Sequence, residues 1–131
     1  MSPHLYSQDF SKMKTVLIID DAGFDRIIIN ALLTQCGYDV IGEAASGTEG
    51  LKMARELKPE LITLDKMMPD MDGMEVLEIL HKESFPGTIV LISGDNLATV
   101  KEKAEAMGTK EFFKKPLTKV DLKLRLDALF A

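Results

Sequence analysis

Five side chains, far apart in the chain, could do chemistry together: the adjacent acids Asp20 and Asp21, a third acid at Asp65, the hydroxyl of Ser93 and the amine of Lys115, which precedes Pro116. Carboxylates crowded within a few ångströms raise one another's pKa, and they coexist only with protons or a cation between them. Hard oxygen ligands with room for water suit Mg²⁺, which takes one or two protein carboxylates and leaves positions open for a phosphate. An amine beside such a site can neutralise charge growing on a transferring phosphoryl oxygen, and a hydroxyl can donate to another. The plain alternative is that acids at strand ends are solvated loop residues. That reading suits a single Asp better than three acids accompanied by a serine and a lysine at further strand ends.

The elements that must bring these groups together are legible as alternating short apolar runs and longer stretches of helical spacing, the pattern of a parallel sheet wrapped by helices. Strands are expected at 15–20, 39–44, 61–65, 88–93 and 111–115, and the three central runs are apolar enough to be buried on both faces. Asp20 and Asp21 close the first, Asp65 the third, Ser93 the fourth and Lys115 the fifth. In a doubly wound sheet all strand ends of one polarity meet at one edge, where ligands bind, so the three acids should converge.

Between the strands, Phe24, Ile28, Ala31, Leu32 and Gln35 form one helical stripe that Gly37 should end in a left-handed cap. Leu51, Ala54 and Leu57 line a second helix before Pro59, Met74, Leu77 and Leu80 a third, and Leu97, Val100, Ala104 and Met107 a fourth. The last segment, from Lys119, alternates like a strand, but its Leu, Lys, Arg and Ala favour a helix, which a doubly wound sheet needs there. On that helix Val120, Leu124 and Ala128 fall on one side and Leu122, Leu126 and Leu129 on nearly the opposite one. One apolar face would stay uncovered, and Leu122, Leu126 and Leu129 are expected to form a partner surface.

A chain of 131 residues suits one domain, with residues 1–14 as a polar tail and 15–131 as the folded unit. The net charge of -5 repels a phosphate backbone, so no direct nucleic-acid binding is expected. No apolar run approaches the length of a membrane span, and the lone Cys36 cannot form an internal disulfide, which points to the cytoplasm.

From Thr15 to the end the chain resembles the receiver domain of two-component response regulators, and the stand-alone chemotaxis-type regulators most of all. The resemblance rests on Asp20-Asp21, on Asp65 with Pro69 and Gly73 in D-K-M-M-P-D-M-D-G, on Ser93 before Gly94, and on Lys115-Pro116. It implies a flavodoxin-like α/β fold, a doubly wound five-stranded parallel sheet in the order 2-1-3-4-5 with helices on both faces. Asp65 would be the phosphoacceptor, attacking a phosphohistidine of a histidine kinase or a histidine phosphotransfer protein. Mg²⁺ would be held by Asp20, Asp21, Asp65 and the backbone carbonyl of Met67, while Lys115, after which the resemblance implies a cis bond, and Ser93 would grip the phosphoryl oxygens. Ser93 and Phe112 would switch together, changing binding of a downstream protein or self-association through the face that includes the last helix.

Such a chain is no enzyme in the ordinary sense, since it catalyses only its own phosphorylation and dephosphorylation. A phosphatase with an Asp nucleophile fits less well, because such enzymes usually carry two acids separated by one residue after the first strand. The methionines at 67, 68, 71 and 74 are read as packing under the loop after Asp65 rather than as a docking surface. Replacing Leu126 by a charged residue is expected to weaken partner binding and leave phosphorylation intact.

Overall fold

A strand whose successive residues are all apolar must be covered on both sides, and β1 (Thr15–Ile19) is buried at every position after the first. The computed structural model describes residues 13–131; apart from Met13 and Lys14, the expected tail over 1–14 lies outside the described residues. Four further strands, β2 (Asp39–Ala44), β3 (Leu61–Asp65), β4 (Thr88–Ser93) and β5 (Thr109–Lys114), join it in one parallel sheet of order β2-β1-β3-β4-β5. The expected fold class and strand order are therefore observed, with β5 beginning two residues earlier than the sequence pattern indicated.

Side chains alternate across the sheet with period two and build a core on each face. Leu17, Ile19, Ile62, Leu64 and Leu91 pack with α2 (Gly47–Leu57), α3 (Gly73–Lys82) and α4 (Lys101–Ala106). Val16, Ile18, Leu61, Val90, Ile92 and Phe113 pack with α1 (Gly23–Gln35) and α5 (Lys119–Leu129) on the other side. Oxygen-bearing side chains cap three of the helices: Ser46 accepts from the Glu49 N–H, Asp72 from the Met74 N–H and Thr118 from the Asp121 N–H. Gly37, just past α1, has φ +91°, the left-handed conformation expected of it. The α4 stripe from Leu97 to Met107 reads longer than its helix, which spans only six residues.

Two helices are rotated relative to the sequence reading. In α1 the buried residues are Ile29 and Leu33, followed by Cys36, while Phe24 is 74% exposed and Ile27 67%. Apolar residues wrap most of this helix, so spacing alone allows two stripes. Polar anchors decide between them: Arg26 donates to the Asp20 carbonyl and Asp25 accepts from Lys115, turning residues 25, 29 and 33 inward.

In α5 the expected partner surface is corrected. Leu122 and Leu126 are 1% and 0% exposed inside the core, and Leu129 is half-buried against it. The uncovered stripe is the opposite one, Val120 and Leu124, at 79% and 69% exposure. The helix carries apolar residues on both sides, and only the position of the sheet selects which pair is inside. A charge at Leu126 would therefore unfold the chain rather than test a surface. Leu126→Ala should lower stability by about 3 kcal/mol through the cavity it leaves, whereas Leu124→Ala should stay within about 0.5 kcal/mol of the parent in urea unfolding. Equal effects would reverse the assignment.

Candidate functional site

The carboxyl-terminal ends of all five strands lie on one edge of the sheet, and the polar residues after them are drawn together there. Asp20, the residue following β1, is almost wholly buried; its N–H donates to the Ala44 carbonyl at 3.0 Å and its Oδ1 accepts from the Ala22 N–H at 3.0 Å. Asp65, the last residue of β3, is 6% exposed, and Asp21 stands in the open beside them. One oxygen from each of the three carboxylates lies within 4.8 Å of the others. The convergence expected from the strand ends is thus observed.

Lys115, just past β5, reaches into this cluster. Its Nζ donates to Asp25 Oδ2 at 2.8 Å and Asp20 Oδ2 at 2.9 Å, and stands 3.5 Å from Asp65 Oδ1. The peptide bond from Lys115 to Pro116 is cis, as the resemblance implied, and the Lys115 N–H donates to the Ser93 carbonyl at 2.8 Å. Ser93, at the end of β4, is buried, and its Oγ accepts from the Asp95 N–H at 3.0 Å. Because that bond uses an oxygen lone pair, the hydroxyl proton remains available for donation.

Asp25 is the member of the group that the sequence reading missed. It lies in the first turn of α1, and the stripe assigned there ran through Phe24 and Ile28. A second acid five residues after Asp20 was the available signal, but its inward direction depends on the rotation of the helix.

The loop after Asp65 is folded back tightly. A Cβ on Gly73 would lie 2.4 Å from the Asp65 carbonyl oxygen and 2.8 Å from the Lys66 Cα, both backbone atoms that cannot step aside. The Gly73 N–H donates to the Lys66 carbonyl at 2.8 Å. Asp70 clips the loop to the start of α2, accepting from the N–H groups of Gly47 and Thr48 at 3.1 Å each; these bonds hold its carboxyl below the usual range. Met68, Met71 and Met74 pack against the core as expected, whereas Met67 is 54% exposed in the loop. Phe112, in β5, is half-buried beside a cleft of about 320 Å³, with Lys101 Nζ 5.9 Å from its ring centroid and Arg125 bonded to its carbonyl.

Charge is unevenly balanced at this edge. Asp20, Asp21, Asp25 and Asp65 supply four carboxylates around one ammonium. Burial and the neighbouring Asp20 push Asp65 up to about 6, against the opposing pull of Lys115. Burial draws Lys115 down, but its bonds to Asp25 and Asp20 outweigh that and hold it above the ordinary lysine value. Oxygen ligands only, a surplus of negative charge and one solvent-facing member, Asp21, make a donor set that fits Mg²⁺.

Strand order and helix placement define an α/β domain of flavodoxin-like topology. The chain belongs to the response regulator receiver domain family, which residues 16–127 match. It is 36% identical to the chemotaxis protein CheY of Thermotoga maritima over 103 residues, covering 79% of this chain and 86% of that one. With the CheY of Bacillus subtilis it shares 33% identity over 101 residues, 77% of this chain and 84% of the relative. Among solved structures, that of the CheX-CheY-BeF3-Mg complex of Borrelia burgdorferi includes a chain that superposes with a TM-score of 0.87 at 25% identity over 99% of both chains. Receiver domains are phosphoacceptors rather than classical enzymes, and they bind Mg²⁺ at an acidic pocket.

A carboxyl whose folded pKa lies above its unfolded value costs the folded state stability once it must ionise. For Asp65 that cost is absent below about pH 4 and fully present above about pH 6, and the rise from 3.8 to about 6 corresponds to about 3 kcal/mol. Metal-free Asp65→Asn should therefore be more stable than the parent at pH 7.5, by up to about 3 kcal/mol, with the gain vanishing near pH 4. Chemical denaturation at the two pH values checks this; a gain that is equal at both would place its origin elsewhere.

Proposed function

We propose that this chain is a response-regulator receiver that accepts a phosphoryl group on Asp65 from a phosphohistidine of a histidine kinase or histidine phosphotransfer protein. The observation that carries the reading is the convergence of Asp20, Asp21 and Asp65 beside Lys115 at the edge where the strands end. An Asp65 carboxylate oxygen attacks phosphorus, the bond from phosphorus to the donor's imidazole nitrogen breaks, and the imidazole leaves with the bonding pair. Asp20, Asp21, Asp65 and the Met67 carbonyl would hold Mg²⁺, which would supply charge neutralisation for the phosphoryl oxygens and for the crowded acids.

The protein's own groups do the remaining work. Lys115 neutralises the negative charge that collects on the phosphoryl oxygens, and the free proton of Ser93 Oγ donates to one of them. The dianionic product favours the arrangement in which both contacts are made, so phosphorylation shifts an existing equilibrium. Phe112 repacks in concert, altering the face formed by α4, β5 and α5 through which a downstream protein is bound. Because Leu122 and Leu126 belong to the core, that face offers Lys101, Phe112 and Arg125 beside the cleft instead.

The chain should gain the mass of one phosphoryl group when incubated with Mg²⁺ and acetyl phosphate, and Asp65→Asn should gain none. Mg²⁺ alone should raise the unfolding midpoint by binding only the native cluster, and Asp21→Ala should abolish that rise. Labelling that persists in Asp65→Asn would move the acceptor elsewhere; turnover of an external phosphomonoester would favour a phosphatase.

A further inference from the structure

An ammonium has three protons to give, and in this structure Lys115 does not give the best of them to Asp65. Asp25 at 2.8 Å and Asp20 at 2.9 Å take short bonds, whereas 3.5 Å to Asp65 is beyond the usual range for such a bond. Asp20 also belongs to the oxygen cluster that fits a divalent ion, and Asp25 does not. When a cation draws on the lone pairs of Asp20, Asp25 is left as the acid that can hold the lysine without competition from the metal.

Asp25 is well placed to do so. It stands in the first turn of α1, where the helix dipole favours a carboxylate. The pair forms part of the wall of a cleft of about 280 Å³ whose other sides are Ile28, Ile29, Pro116 and Leu117, so it is screened less than on an open surface. Lys115 and Asp25 retain side-chain exposures of 22% and 34%, which leaves the contact free to break and re-form.

Building on the phosphoacceptor reading, we propose that Asp25 is a positioning residue: it holds the Lys115 ammonium on the α1 side of the site, away from Asp65, and so opposes capture of a phosphoryl group. No covalent step is involved. One ion pair is exchanged for another, since a phosphoryl dianion on Asp65 must draw the ammonium off Asp25 to be gripped by it. Removing the Asp25 charge frees Lys115 and should strengthen retention of a phosphoryl group or its mimic.

The test is beryllofluoride affinity at saturating Mg²⁺, measured on the full chain. Asp25→Asn should bind on the order of threefold to tenfold more tightly than the parent, the range expected for a partly screened, charge-assisted pair. Asp25→Glu, which keeps the charge, should stay within about twofold of the parent. Glu43→Gln removes a negative charge near the end of β2 without touching Lys115, its carboxylate being bonded to Asn30 and paired with Arg26, and should change nothing. If the parent binds beryllofluoride and Asp25→Asn binds no tighter, or if Glu43→Gln tightens binding equally, the inference is overturned. If the parent takes no beryllofluoride at all, the phosphoacceptor reading fails and the inference falls with it.

Discussion

A single ammonium holds together a group of acids that would otherwise repel one another, and the functional edge of this protein is arranged around that contact. Lys115 arrives from β5, Asp20 from β1, Asp65 from β3 and Asp25 from α1, so the ion pairs tie the two central strands to the sheet's far edge and to a helix on one face. Such a cluster is poorly balanced in charge: four carboxylates and one lysine leave a net negative pocket in which burial and Asp20 hold Asp65 above the usual carboxylate range. Stability is given up at the place where a cation and a phosphoryl group would restore the balance.

The rest of the fold makes this concentration of charge tolerable. Strands β1, β3 and β4 are sealed in apolar surroundings on both faces, so that apart from Thr63 their polar residues lie at the ends, and parallel pairing brings those ends to one edge. The loop after Asp65 is held by backbone and side-chain contacts rather than by bulk. Gly73 admits the turn against the strand end, and Asp70 ties it to the amino terminus of α2. Two helices and three strands thereby fix the position of a handful of oxygen atoms.

Much of this was legible before any coordinates, because the strands of a buried parallel sheet read as continuous apolar runs and the acids fall just after them. Asp20, Asp21, Asp65, Ser93 and Lys115 could be placed at one edge from strand order alone. What the sequence did not disclose was helix rotation. In α1, Phe24, Ile27 and Ile28 are as apolar as Ile29 and Leu33, and in α5, Val120 and Leu124 are as apolar as Leu122 and Leu126. Periodicity identifies a helix but cannot choose between two apolar stripes; that choice is made by tertiary contacts such as Arg26 with the Asp20 carbonyl. Asp25 was missed for the same reason, since its reach toward Lys115 follows from the rotation.

Function at this edge depends on Asp20, Asp21 and Asp65 forming a seat for a divalent cation, a seat whose negative charge Lys115 partly neutralises. The most direct measurement is an anomalous difference map from a crystal of this chain equilibrated with Mn²⁺, a stand-in for Mg²⁺ that can be located without ambiguity. A single peak bonded to carboxylate oxygens of Asp21 and Asp65 is the predicted result. Full occupancy at another position, or no peak with these carboxylates still clustered, would contradict it.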